Sequence, residues 1–65
     1  MKYAKVDRSN RHLVGGNGAG EIIVQRPPTA PLTKDEALVF AAYLVSIADP
    51  DGRRFAIILE GVQEL

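Results

Sequence analysis

Apolar and polar residues alternate with one period in the first part of the chain and with another in the second. Residues 2–6 (KYAKV) alternate modestly and predict a short first strand, and residues 12–14 (HLV) predict a brief second one. Residues 21–26 (EIIVQR) give the best strand signal, being rich in β-branched side chains. In that strand Ile22 and Val24 point one way and Glu21, Ile23 and Gln25 the other. Ile23 therefore sits on a mixed face, part of which is expected to be covered. Beyond it, Pro27, Pro28 and Pro31 end the strand, because proline lacks the ladder N–H and holds its predecessor extended.

From Thr33 onward the spacing is helical. Thr33-Lys34-Asp35-Glu36 is a capping box: Thr33 accepts the N–H of Glu36, and Glu36 reaches back to the N–H of Thr33. A helix is predicted over Lys34–Ala48, with acids in its first turn where the dipole favours them. Asp49-Pro50-Asp51-Gly52 breaks it, and predicts Asp49 as N-cap and Pro50 as first residue of a second helix. That helix carries Phe55, Ile58, Leu59 and Val62 at the i, i+3, i+4, i+7 spacing of one buried face, weakened in its last turn by Gly61.

The predicted fold class is α+β: two or three short antiparallel strands followed by a helical hairpin, in one small domain. Residues 1–26 form the β-rich part, with a turn cluster at Asp7-Arg8-Ser9-Asn10 and a glycine-rich loop at 15–20. Residues 27–32 are a stiff proline-rich connector, and residues 33–65 the helical hairpin. The first helix is the most informative element. Between Ala37 and Ala48 its only polar groups are Ser46 and the Tyr43 hydroxyl. A helix that is apolar all round is a buried helix. Leu38, Val39, Leu44, Val45 and Ile47 cannot all face one core at ~100° per residue. A thin alanine side left in solvent is the plain alternative; a homo-oligomer, a dimer or higher, is the preferred reading. The expected interface comprises Leu38, Val39, Ala42, Val45, Phe55, Ile58 and Leu59.

Composition supports assembly. The chain has 65 residues and no cysteine, so burial has to come from packing or from a partner subunit. His12 is the one histidine and cannot build a zinc site alone; no metal and no cofactor are expected. Eight basic residues balance eight acidic ones, which counts against a free-standing nucleic-acid-binding domain, since phosphate neutralisation supplies most of its affinity. No apolar run is long enough to span a bilayer, and no signal peptide is read at the start. A cytoplasmic protein without a membrane partner is expected.

Gly15-Gly16-Asn17-Gly18-Ala19-Gly20 is the nearest approach to a chemical motif. Glycines let successive N–H groups converge on an anion, but the following element is a strand, so neither the dinucleotide fingerprint nor the P-loop context is present. A hairpin in which Asn17-Gly18 supplies the positive-φ positions explains most of the glycine content. The alternative is a site for an anionic nucleotide-type ligand built by Gly15, Gly16, Asn17, Gly18 and Gly20 with Arg8, Arg11, His12 and Arg26, completed across a subunit interface. Asp35 with Glu36 and Asp49 with Asp51 are explained by helix capping. No nucleophile, base and orienting acid form a recognisable set, so no catalytic residue is assigned and an enzyme is not expected. Arg53-Arg54 opposes the dipole of the second helix, and reads as a solvated face or as a cross-subunit partner for a carboxylate.

Two resemblances add expectations. The strand, helix, turn, helix order of residues 21–65 resembles the ribbon–helix–helix DNA-binding family, which implies an intertwined dimer with paired strands in the major groove. The groove-facing set is then Glu21, Ile23 and Gln25, or Ile22, Val24 and Arg26, and neither is the basic and polar trio that base readout uses. The run RPPTAPLTKDEALVFAAYLVSIADPDG resembles a segment of small phage and prophage proteins. That resemblance implies no activity of its own, but it implies an accessory protein, in the host cytoplasm, that blocks a host factor or sequesters a small signalling molecule. The expectations are thus nucleotide sequestration or host-factor blocking by an oligomeric binding protein, then protein–protein inhibition through the apolar helix face, then DNA binding.

Overall fold

In a computed structural model, which describes residues 7–64, two short strands and two helices follow one another: β1 (Val14–Gly16), β2 (Ile22–Val24), α1 (Lys34–Ala48) and α2 (Arg53–Gln63). The strand expected at residues 2–6 lies outside the described residues. β1 and β2 pair antiparallel, with Val14 opposite Val24, Gly15 opposite Ile23 and Gly16 opposite Ile22. The α+β class is as expected.

The strand expected at 12–14 is displaced toward the glycines. Leu13 takes φ 48°, in the left-handed region, and so leaves the extended conformation just before the ladder begins. The Asn10 side chain sets this reversal. Its Nδ2 donates to the Val14 carbonyl and its Oδ1 accepts the Val14 N–H, both at 2.9 Å. Beyond the paired residues, the Arg26 N–H donates to the His12 carbonyl at 3.0 Å and holds the open end of the hairpin.

Val14, Gly16, Ile22 and Val24 share the face turned to α1, and Val14, 7% exposed, is the one buried hydrophobic among the described residues. Gly16 faces α1: a Cβ there would lie 3.6 Å from the Ile47 side chain, an ordinary van der Waals contact. On the other face Ile23 is exposed rather than partly covered, since its cross-strand neighbour Gly15 has no side chain to lay over it.

α1 has the expected bounds and the expected capping box. The Glu36 N–H donates to Thr33 Oγ1 at 3.1 Å and the Thr33 N–H to Glu36 Oε1 at 2.8 Å. The start of α2 differs from expectation. The Gly52 N–H donates to the Asp49 carbonyl at 2.8 Å, closing a turn with Pro50 at its second position and Gly52 at φ 73°, so the helix begins only at Arg53. The acids still cap it from upstream. Asp49 Oδ2 accepts the Phe55 N–H at 2.7 Å, and Asp51 Oδ1 accepts the Arg53 N–H at 3.1 Å. The sheet packs on α1, whereas α2 packs closely on neither.

Candidate functional site

The uniform apolar character of α1 resolves into three faces. Glu36, Phe40, Tyr43 and Ile47, at i, i+4, i+7 and i+11, look toward the hairpin. Phe40 lies 4.6 Å from the His12 ring, the Tyr43 hydroxyl donates to the Arg8 carbonyl, and Ile47 covers Gly16. A second face carries Ala41, Leu44, Val45 and Ala48, which with Arg54, Phe55 and Ile58 line a groove of about 360 Å³ between α1 and α2. The third carries Asp35, Leu38, Val39, Ala42 and Ser46. With Arg8 and Tyr43 these line a groove of about 460 Å³ on the outside of the molecule.

The interface set expected from sequence therefore divides. Leu38, Val39 and Ala42 belong to the outer groove, and Val45, Phe55 and Ile58 to the groove between the helices. Leu59 is exposed on α2 beside them. The outer groove is apolar with a cation and an anion at its edge, Arg8 and Asp35, and Leu38 is 68% exposed within it. On α2, Ile57 is 72% and Ile58 58% exposed. Isolated exposed apolar residues are ordinary, but contiguous ones mark contact surfaces. Of the missed participants, Ala41 and Ala48 sit one helical turn from Val45, and Leu44 sits one turn from each of those two. Sorting α1 by its 3.6-residue period into three stripes would have found them.

The glycine segment does not form an anion cradle. Asn17 organises it as a three-residue hairpin loop closed by a glycine bulge. Its Oδ1 accepts the N–H groups of Ala19 and Glu21, both at 2.9 Å, and its carbonyl accepts the Gly20 N–H at 3.3 Å. Three N–H groups that an anion would need are thereby taken. The positive φ falls at Gly20, at 81°, and not at Asn17 or Gly18. Gly15 and Gly16 are strand residues.

The basic residues expected to complete that site lie elsewhere. His12 and Arg26 face each other at the open end of the hairpin, roughly 15 Å of extended strand from the loop. The His12 Nδ1 lies 2.6 Å from the Arg26 carbonyl, which can only accept, so that nitrogen carries the hydrogen. Arg11 is engaged twice, by Asp7 and by Glu36 Oε2 at 3.1 Å. The Asp7 carboxyl is held well below the usual carboxylate range, first by the Ser9 hydroxyl and N–H and then by Arg11. Glu36 is lowered by the Thr33 N–H and hydroxyl ahead of Arg11, and Asp7 raises Arg11 in turn. The cleft these groups line, with Asn10, His12, Phe40 and Tyr43, holds about 60 Å³, far below the roughly 300 Å³ at which pockets for small organic ligands begin. They tie the N-terminal turn to the start of α1.

Among the described residues, no group of three or more His, Cys, Asp or Glu side chains is placed to hold a metal ion. No described helix is long and apolar enough to cross a membrane. Comparison with family models, with curated proteins and with solved structures found no match to this chain.

Proposed function

We propose that this is a non-enzymatic, homo-oligomeric binding protein that acts by protein–protein contact through the apolar surface of its two helices. The outer groove on α1 takes a partner protein. The observation that carries this reading is exposed Leu38 and Ala42, with half-buried Val39 between them, along a helix whose neighbouring face is already engaged by the hairpin. An apolar groove with Arg8 and Asp35 at its edge suits an amphipathic helix of a partner, laid along it with its apolar side down. Sequestration of a nucleotide has less support, because the loop amides serve Asn17, Arg26 stands at the other end of the hairpin, and Arg11 and Arg8 lie against α1. DNA reading has less support too, since β2 takes its strand partner from within the chain.

The likeness of residues 26–52 to small phage and prophage proteins makes a host protein the partner to look for. The test is affinity capture from a bacterial lysate with the wild-type chain and with Leu38→Glu, beside a thermal-shift panel of nucleotides. A protein retained by the wild type and lost with Leu38→Glu supports the reading. Identical retained sets contradict it, and stabilisation by a nucleotide reinstates the anionic ligand.

A further inference from the structure

The face that α2 turns toward the open groove is nearly its own mirror along the helix. Phe55, Ile58, Leu59 and Val62 are placed symmetrically about the point between Ile58 and Leu59, as are the small residues Ala56 and Gly61. The end charges are arranged in the opposite sense. Arg53 and Arg54 occupy the first turn and Glu60 and Glu64 the last, so each end carries the sign that its own helix dipole disfavours. Asp51 pairs with Arg53 at 3.8 Å, and Asp49 is held by the Phe55 N–H. Among the described residues Arg54, which lines the groove, and Glu60 and Glu64 have no ion-pair partner.

We infer that the groove between α1 and α2 is occupied by α2 of a second copy of this chain, running antiparallel about a two-fold axis that passes between Ile58 and Leu59. Such an axis brings the same patch of both copies together, as an isologous interface requires. Ile58 meets Ile58 and Leu59 meets Leu59 of the second copy, while Phe55 lies over its Val62. Ala41 and Ala48 on α1 let the incoming helix approach within the usual 8–10 Å of interaxial distance. Arg54 then passes over Gly61 of the second copy toward its last carbonyls and Glu64. Charges that oppose the dipole in one helix complement it in the pair. A parallel pairing would bring like charges together at both ends.

The inference rests on the homo-oligomer of the proposed function and supplies its interface, but it uses a different face from the partner groove, so the interface and the partner groove fail separately. The chain has no cysteine, which allows single ones to be placed. In the antiparallel register the two copies of residue 59 lie side by side, whereas the two copies of residue 62 are offset by roughly 10 Å along the axis, at ~1.5 Å per residue. Disulfide formation fails beyond about 7 Å between Cα atoms, so under mild oxidation Leu59→Cys should cross-link at least about tenfold faster than Val62→Cys. Ile58→Asp should weaken self-association about tenfold or more, with the circular dichroism of the remaining helix and the hairpin kept. Equal cross-linking at both positions overturns the antiparallel register. A dimer that survives Ile58→Asp, or that cross-links at neither position, overturns the α2 interface while leaving the α1 groove reading untouched.

Discussion

Gly20 takes φ 81° at the end of the hairpin loop, where an added Cβ meets no atom within 4 Å. Substitution there reads backbone strain alone. Gly20→Ala is expected to cost about 1 kcal/mol, seen as a lower urea midpoint. Gly18 also has open space around its missing Cβ, and its φ lies outside the left-handed region. Gly18→Ala should stabilise by about 0.5 kcal/mol, by restricting the unfolded chain. The reverse ordering would mean that Asn17-Gly18 forms the turn. Glu36 supplies a second residue-scale expectation. Its folded pKa is lowered from the ordinary value of 4.5 by the Thr33 N–H and hydroxyl and then by Arg11. A lowered carboxyl contributes stability that is fully present above that ordinary value and is lost as pH falls through the folded one. Thermal unfolding should therefore be insensitive to this group above pH 4.5 and decline below it, with Asp7 adding to the decline in more acid solution. Glu36→Gln should flatten the first part of that decline.

Each element shows a different degree of legibility in the sequence. The capping box marked α1 to the residue, because Thr33 and Glu36 act on backbone groups three positions away and need nothing from the rest of the fold. The second helix was legible in its existence but not in its start, nor in the expected burial of its stripe: Phe55, Ile58, Leu59 and Val62 are all exposed, because no other described element of the chain packs over them. Asp49, Pro50 and Gly52 are equally good for a helix cap and for a tight turn, and the turn prevails because Gly52 takes positive φ. The candidate site was legible as a need for cover, in the apolar circumference of α1, but its division into two grooves depends on where α2 leaves the turn. The glycine loop misled for a local reason: Asn17 satisfies with its own side chain the amides that an anion would otherwise claim. The amides of α2, unsupported by packing in the single chain, should gain hydrogen-exchange protection as protein concentration rises, while those of Val14 and Val24 should not change.

At the scale of the whole molecule, a hairpin and one face of α1 form the small core, and two apolar grooves are left outside it. In the proposed scheme one groove takes a second copy and the other a partner protein, and self-association is the central claim, tested apart from the partner groove. Light scattering on a size-exclusion peak, across micromolar concentrations, measures it most directly. The wild-type chain should elute as a species of about 14 kDa, twice its 7.0 kDa mass, and Ile58→Asp should move it toward 7.0 kDa. A wild-type chain that stays at 7.0 kDa throughout that range contradicts the account.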